Sequence, residues 1–343
     1  MHSESPHDQD SGAEPLGDLL RLRGVVADAP VTRAGVPRSS GLDGLDLSAA
    51  WGATTAVVAE VNGGKSLLAR VLMGLAPMAR GSIRLDGVEV GYAHADERRR
   101  SWQRMQLVLS GVPPSLDPLW PVFKSVAEPL RLLGVGRRRG VGRRAREALL
   151  SCGIGPNRSR RLPAELTPGE QQRVALARAL AMHPDLVILD NPLAGLDLSA
   201  RSQLAERLQA LQLEQGVAFL LLTRDLAVAC ALADRVAVML AGRVVEVGPA
   251  RALAARPQHP LTRALAASCS SGMGRDVAIP ARFSLAGDGR ATVPAETGCP
   301  LVGRCPLVEP RCHARSPSLL RRSSGHWVAC HQPPGVGGDG GEG

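Results

Sequence analysis

Aromatic residues and long apolar runs are scarce in this chain. Its 343 residues include one Tyr, three Phe and four Trp, which leaves no series of aromatic side chains on which nucleic-acid bases would stack. No apolar run approaches the roughly 18 to 20 residues of a membrane-spanning helix. Residues 1–17 are polar and acidic rather than arranged like a signal peptide. We therefore expect a soluble cytoplasmic chain that does not bind nucleic acid.

The composition is that of a globular protein with excess positive charge. Hydrophobic residues make up 44% of the chain, enough for a sizeable core, and the length suggests about two domains. The formal net charge of +9 comes largely from Arg, part of it in the Gly-interrupted stretch 137–146. Such a stretch would suit anionic lipid headgroups or nucleic acid, but a solvated loop is the simpler interpretation.

A phosphate-binding loop is predicted directly after an apolar run, Thr54–Val58. Its sequence is Ala59-Glu60-Val61-Asn62-Gly63-Gly64-Lys65-Ser66-Leu67. In Gly64-Lys65-Ser66, the glycine lets backbone N–H groups face phosphates, the lysine reaches the β and γ oxygens, and the hydroxyl can hold magnesium. Ala59 and Asn62 stand where the G-x-x-G-x-G-K-[ST] form has glycines. Because Ala narrows the turn while Asn tolerates positive φ, we expect weakened rather than lost binding.

A second buried strand ends in a carboxylate. The run Asp185-Leu186-Val187-Ile188-Leu189-Asp190 is apolar up to its last residue, as parallel strands of phosphate-binding folds are. We expect Asp190 on the magnesium side of the site, together with Ser66. Upstream of this strand, the segment Leu166-Thr167-Pro168-Gly169-Glu170 reads as a turn that leads into a helix.

These motifs resemble those of ABC-type ATPases over roughly residues 18–250. The segment 166–170 corresponds to the family's signature L-S-G-G-Q, and Leu196-Asp197 and Thr223-Arg224-Asp225 follow in the family's order. The resemblance implies an α/β P-loop NTPase fold that binds ATP and Mg²⁺. The residues that it places around the nucleotide are Ala59, Asn62, Gly63, Gly64, Lys65, Ser66, Leu67 and Asp190, the signature residues Leu166, Thr167, Pro168, Gly169 and Glu170, and the D-loop residue Asp197.

The same alignment puts unusual residues at the positions that carry out hydrolysis. Asn191 stands at the catalytic glutamate, and an amide can orient a water but cannot accept its proton. Arg224 stands at the switch histidine. Ser110 stands at the Q-loop glutamine, which leaves Gln106 as a strand residue. We predict a degenerate site that binds ATP and rarely cleaves it.

The signature and the adenine site also depart from the family. Pro168 and Glu170 replace a glycine and a glutamine, so that one backbone donor is lost and a negative charge is added, whereas Thr167 and Gly169 keep their N–H groups. The N-terminal strand Leu19–Ala27 has no aromatic residue for stacking the adenine. Weaker adenine binding is therefore expected.

The secondary-structure pattern agrees with the resemblance. Residues 235–240 and 243–248 alternate as a hairpin joined by Ala241-Gly242, and we expect a parallel core with helices on both faces and this antiparallel edge. The domain bounds that we predict are 1–17 for a disordered tail, 18–250 for the ABC-type nucleotide-binding domain with a helical subdomain at about 101–180, 251–332 for a C-terminal extension, and 333–343 for a flexible Gly-rich tail.

The C-terminal extension resembles that of oligopeptide, dipeptide and nickel importer ATPases, through His259-Pro260-Leu261 and the segment 298–306. It carries four cysteines, Cys299, Cys305, Cys312 and Cys330. They lack C-x-x-C spacing, yet four thiolates suit a tetrahedral metal or an iron–sulfur cluster, and a cytosolic chain argues against disulfides. The resemblance favours a [4Fe-4S] cluster, and zinc and free thiols are the alternatives.

The resemblance implies that the chain is one half of a transporter's ATPase pair, peripheral on the inner face of the membrane. Its partners would be a second ATPase subunit in a heterodimer, two transmembrane permeases and an extracellular solute-binding protein. Peptide import is the favoured function, and nickel or another solute is the alternative. A non-hydrolysing regulatory protein also fits the lost catalytic residues. A soluble ABC protein of translation or repair would need two cassettes, and this chain has one.

Overall fold

The computed structural model describes residues 17–29, 40–109, 116–134, 138–268 and 298–333. The predicted tails therefore lie almost wholly outside the described residues, as does Ser110. The strands are β1 (Asp18–Ala27), β2 (Leu42–Ala50), β3 (Thr54–Ala59), β4 (Arg80–Leu85), β5 (Val88–Glu89), β6 (Met105–Val108), β7 (Leu186–Asp190), β8 (Ala218–Thr223), β9 (Arg235–Leu240), β10 (Arg243–Pro249), β11 (Leu320–Ser323) and β12 (His326–Val328).

The helices lie mostly between the strands of the central sheet. They are α1 (Lys65–Leu72), α2 (Ala95–Arg104), α3 (Val122–Leu132), α4 (Arg138–Ser151), α5 (Pro156–Ser159), α6 (Pro168–Leu180), α7 (Leu198–Gln215), α8 (Leu226–Leu232), α9 (Ala250–Ala255), α10 (Pro260–Ser268) and α11 (Pro310–Ala314). None of these described helices is both long enough and apolar enough to cross a membrane.

The strands form two sheets. The smaller sheet has the order β2-β1-β4-β5 and is antiparallel throughout. The larger sheet has the order β11-β12-β10-β9-β3-β8-β7-β6. Its strands from β9 to β6 run parallel, while β10, β12 and β11 add an antiparallel edge. The predicted hairpin of β9 and β10 is confirmed.

Burial on both faces explains the continuous apolar runs of the parallel strands. In β3, Ala56 and Val58 belong to the core cluster under helices α3, α4 and α6–α8, whereas Val57 and Ala59 belong to the cluster under the small sheet and α1. Alternate residues of a strand point to opposite faces, so a strand covered on both sides has no position for a solvated side chain. This is the pattern that identified the strands in the sequence.

The helix-rich segment between α3 and α6 covers one end of the sheet. Within the range 101–180 predicted for the helical subdomain, Met105–Val108 is the edge strand β6, paired in parallel with β7. Gln106 is accordingly a strand residue, as expected. Helix α6 begins at Pro168, and Thr167 caps it by accepting a hydrogen bond from Glu170 N, as a Thr-x-x-Glu capping box does.

The C-terminal extension docks on the sheet through the buried carboxylate of Glu246. That carboxylate accepts hydrogen bonds from the backbone N–H groups of Gln258 and His259, each at 2.8 Å, and lies 2.8 Å from Nε2 of His326. Each of these three partners comes from the extension, so this buried carboxylate depends on the extension for the hydrogen bonds described here. Strands β11 and β12, which the sequence pattern did not reveal, complete the sheet edge.

Candidate functional site

A loop of tightly turned backbone joins strand β3 to helix α1. Asn62 has a φ of 60° and Gly64 a φ of 95°, both in the left-handed region that few residues other than glycine and asparagine adopt. Asn62 thus adopts a positive φ, the conformation in which the sequence analysis expected it to replace a glycine. Gly64 is the N-cap of α1, so the first turn of the helix presents free backbone N–H groups to the loop.

Close contacts explain why the loop needs its remaining glycines. A Cβ on Gly63 would lie 3.0 Å from the Cβ of Ala59 and 3.1 Å from the carbonyl oxygen of Glu60. A Cβ on Gly64 would lie 3.3 Å from the carbonyl oxygen of Gly41. The loop borders a cavity of about 350 Å³. The residues that line the cavity are Val61, Asn62, Gly63, Gly64, Lys65, Ser66, Leu67, Asn191, Ala194 and Arg224.

The ends of three parallel strands bring these residues together. Strands β3, β8 and β7 are neighbours in that order, so their carboxyl ends meet at one edge of the sheet. The loop follows β3, Arg224 follows β8, and Asn191 follows β7. Ligands of open α/β sheets bind at such an edge.

Lys65 is buried at the start of α1 and bends back over the loop. Its Nζ donates hydrogen bonds to the carbonyl oxygens of Ala59 and, at 2.9 Å, of Glu60. Burial lowers the pKa of Lys65 from 10.5 to about 8, the carboxylate of Asp190 opposes this shift, and the charge of Arg224 adds to it. At neutral pH the lysine is therefore a cation held beside the cavity and ready to bind an anion.

A hydroxyl and a carboxylate meet at the base of the loop. Ser66 Oγ donates to Asp190 Oδ2 at 2.9 Å, and Asn191 Nδ2 donates to Asp190 Oδ1 at 3.1 Å. Asn191 has a φ of 48°, and its N–H donates to the carbonyl oxygen of Leu222 at 2.8 Å. The Ser66 and Asp190 oxygens are the kind of hard ligands that Mg²⁺ prefers, so these residues fit that ion.

The signature segment lies away from this cavity. Among the residues described as lining the cavity, none comes from Leu166–Glu170. The Glu170 carboxylate is turned back onto its own helix, where Oε2 accepts from Thr167 N at 2.9 Å and Oε1 pairs with Arg158 at 3.1 Å. The backbone donor that the sequence left free at Thr167 is thus already bonded. Glu170 carries a neutralised charge rather than an unpaired one.

The D-loop residue caps a neighbouring helix. Asp197 is the N-cap of α7, and its Oδ1 accepts from Ala200 N at 2.8 Å. A Cβ on Gly169 would lie 3.0 Å from the Cβ of Ala200. The starts of α6 and α7 therefore lie in contact, which places the signature beside the D-loop within one chain.

The four cysteines of the extension lie near one another without forming a ready metal site. Burial raises the pKa of the Cys299 and Cys305 thiols, and raises that of Cys330 to about 11, with neighbouring thiols contributing in each case. The Cys299 N–H donates to the carbonyl oxygen of Cys312 at 2.8 Å. Within the part of the chain that is described, no group of three or more His, Cys, Asp or Glu side chains is arranged to hold a metal ion. As placed, the thiols do not fit a cluster.

One residue pair that the sequence did not suggest reaches the loop from the extension. Arg304 binds the carboxylate of Glu60 with two hydrogen bonds. The residues are 244 positions apart, so no local pattern could have connected them.

Comparison with known proteins gives matches over nearly the whole chain. The sequence pattern of the family described as "ABC transporter" matches residues 42–194, and that described as "Oligopeptide/dipeptide transporter, C-terminal region" matches residues 245–312. A probable peptide ABC transporter ATP-binding protein of Sinorhizobium fredii is 34% identical over 321 residues, which cover 91% of this chain and 89% of that protein. A putative peptide import ATP-binding protein of Brucella ovis is 34% identical over 312 residues, covering 91% and 97% of the two chains.

Solved structures match in fold. A dimeric ATP-binding cassette, solved in a post-hydrolysis state with ADP and Pi, has a TM-score of 0.59 and 23% identity, and the match covers 68% of this chain and 99% of that chain. An identity this low speaks for the fold alone. It agrees with the α/β P-loop fold expected from the motifs.

Proposed function

This chain belongs to the ABC transporter ATP-binding proteins of the oligopeptide/dipeptide type, and we propose that it is the ATP-binding subunit of a peptide importer. The observation that carries the proposal is the loop of β3 and α1, with Lys65 beside the cavity and Ser66 bonded to Asp190. The names of the relatives that it resembles support peptides as the solute. Nickel or another solute is the alternative, since the solute would be chosen by membrane and binding subunits.

We propose that the loop binds the phosphates of ATP through its backbone N–H groups and the Lys65 ammonium. Lys65 would exchange its bonds to loop carbonyls for bonds to phosphate oxygens, which accept more strongly because they are charged. Ser66 and Asp190 would hold Mg²⁺. The ion would supply positive charge that offsets the negative charge of the phosphates.

Hydrolysis at this site should be slow. Asn191, to which the family resemblance assigns the position of the catalytic glutamate, lines the cavity, and its amide is bonded to Asp190. An amide cannot take the proton of an attacking water. Arg224 can bind a phosphate as a cation but cannot act as a neutral acceptor. We infer a subunit that binds ATP and depends on a partner for rapid turnover.

That partner would be a second ATPase subunit, paired as a heterodimer. The signature lies outside this chain's own cavity, which suits a site completed by a facing subunit. Because the Glu170 carboxylate occupies the Thr167 N–H, phosphate contact in the partner's site would be weaker. We infer that Thr167 contributes its hydroxyl there, because its N–H is already bonded.

The permeases would contact the helical part of the chain, at the inner face of the membrane. A cavity of about 380 Å³ opens among α3, α4 and α5, lined by Phe123, Leu149, Leu150 and Ile154 and bordered by Arg146 and Arg160. Leu150 is exposed there. An apolar groove with a basic border suits an amphipathic segment of a membrane subunit. An extracellular solute-binding protein would complete the transporter.

A [4Fe-4S] cluster on Cys299, Cys305, Cys312 and Cys330 stays a prediction that rests on residue chemistry and family resemblance, with zinc as the alternative. Iron and acid-labile sulfide in protein purified without oxygen, both lost in Cys312→Ser, would support the cluster. Zinc in place of iron would favour the alternative. If thermal unfolding shows that the protein is folded and it contains neither metal, the four cysteines are free thiols.

The first test of the proposed function is Mg²⁺-dependent ATP binding by the purified chain. Lys65→Ala should abolish saturable binding. The matched control is Lys124→Ala, which removes the only other lysine of the chain and loses a contact with the Trp120 ring 3.6 Å away. Binding that is indifferent to Lys65, or no saturable binding by the unmodified chain, would leave the non-hydrolysing regulatory function as the better explanation.

A further inference from the structure

An ion pair connects the C-terminal extension to the phosphate loop. Arg304 Nη1 donates to Glu60 Oε2 at 2.7 Å, and Arg304 Nη2 donates to Glu60 Oε1 at 2.8 Å. The two side chains are only 8% and 13% exposed. A bidentate arginine–carboxylate pair fixes the relative orientation of the two groups as well as their distance. Burial removes the solvent screening that makes surface ion pairs weak.

Glu60 is in turn hydrogen-bonded to two other residues of the loop, Lys65 and Gly63. Its carbonyl oxygen accepts from Lys65 Nζ at 2.9 Å and from Gly63 N at 3.1 Å. Glu60 therefore binds Arg304 through its carboxylate, and it accepts hydrogen bonds from Gly63 and Lys65 through its backbone carbonyl. Displacement of Glu60 would move both.

The backbone of Arg304 belongs to a hydrogen-bonded turn. Its N–H and that of Cys305 both donate to the carbonyl oxygen of Leu301 at 2.9 Å. Leu301 is 1% exposed and belongs to the core cluster beneath the helices. The turn that carries Arg304 is thus packed into the core. We therefore expect Arg304 to fix the position of the Glu60 side chain, and not the reverse.

We propose that Arg304 is a positioning residue for the nucleotide site, which holds Glu60 so that the loop turn and Lys65 can receive phosphates. The inference rests on the proposed ATP binding. It gives the extension a part in ATP binding, although the extension follows the nucleotide-binding domain in the chain and contributes no residue to the cavity lining described above.

A purely electrostatic effect predicts a different pattern. If only charge mattered, Arg304→Gln would weaken ATP binding because Glu60 would repel the phosphates, and Glu60→Gln would strengthen it because a negative charge is removed. Positioning predicts that both variants weaken binding, since either one breaks the same pair. The sign of the Glu60→Gln effect separates the two explanations.

The experiment measures the dissociation constant of Mg-ATP for the full chain and three variants. We expect Glu60→Gln, Arg304→Gln and the double variant each to bind about tenfold more weakly, the lower end of what loss of an orienting partner costs at a site. The double variant should bind Mg-ATP no more weakly than either single variant, because the same ion pair can be lost only once. Arg311→Gln is the matched control. Its arginine lies in the same segment and contacts Glu309 and the carbonyl of His331, and it should bind as the unmodified chain does.

The double variant keeps the test decisive if a single variant fails to fold. Breaking a buried pair leaves an unpaired charge, whereas replacing both partners with neutral groups leaves none. A double variant that unfolds at the same temperature and binds Mg-ATP as tightly as the unmodified chain would overturn the positioning role. Tighter binding by Glu60→Gln would do so as well. Failure of the unmodified chain to bind Mg-ATP would instead contradict the proposed function.

Discussion

Raising the pH above about 8 should weaken ATP binding by this chain, because Lys65 loses its proton there. Burial lowers the pKa of Lys65 from 10.5 to about 8; Asp190 opposes the shift, and Arg224 adds to it. Phosphates bind the ammonium form and raise its pKa in the complex. Below a pH of about 8 the lysine is charged in both the free and the bound protein, so this residue produces no change in affinity.

The magnitude follows from the charged fraction of the free protein. One pH unit above its pKa, about one lysine in ten carries a proton, so the apparent affinity falls by about tenfold per unit. The decline ends where the lysine of the complex begins to lose its own proton. An exposed lysine with an ordinary pKa would show no decline until about two units higher.

The assay is the dissociation constant of Mg-ATP from about pH 7 to about pH 9, a range that brackets the lowered pKa. Lys65→Arg is the control, because a guanidinium keeps its charge throughout this range; its affinity should be lower but independent of pH. An affinity of the unmodified protein that stays constant up to about pH 9 would refute the reasoning. An equal decline in the arginine variant would assign the effect to another group.

Three further predictions concern the loop, the extension and turnover. Gly63→Ala should weaken Mg-ATP binding about tenfold, because the new methyl group meets the Cβ of Ala59 at 3.0 Å; adding Ala59→Gly should recover part of the loss, and no recovery would mean that the contact is not the cause. The free energy of unfolding should fall as the pH drops through 6.5 toward 4, because burial lowers the pKa of His259 from 6.5 to about 4 and the unfolded chain takes up the proton first. The loss is at most about 3 kcal/mol, and thermal unfolding of His259→Asn should show a flatter profile. Asn191→Glu should raise the rate of phosphate release about tenfold or more by supplying a base, while Asn191→Gln should leave it unchanged; equal rates would show that another departure limits turnover.

Much of the site could be predicted because its signals are local. Asn62 followed by Gly63 and Gly64 indicated a turn with positive φ, and such a preference resides in the residues themselves. The apolar run ending at Asp190 indicated a strand buried on both faces, since alternate side chains of a strand point to opposite sides. The segment 166–170 indicated a turn that leads into a helix, but it did not show that a capping box would occupy the Thr167 N–H.

Other features depend on residues that meet only in the folded chain. The pKa of Lys65 is set chiefly by burial, which no local sequence reports. Glu246 looks like an ordinary strand residue, yet it is the buried anchor of the extension. The proximity of the four cysteines is likewise a tertiary result, and it brings them near one another without the geometry that metal binding needs.

By itself, the sequence indicated the parallel strands of the core, the hairpin of β9 and β10, the phosphate loop and the family, because apolar periodicity, turn residues and motif spacing act over a few neighbouring positions. Only the tertiary structure decided that Asn191 and Arg224 share the cavity with the loop, that β11 and β12 complete the sheet, and that Arg304 holds Glu60. Parallel strands bring distant chain segments to one edge of a sheet, and a buried ion pair forms between whichever charges the fold removes from water together.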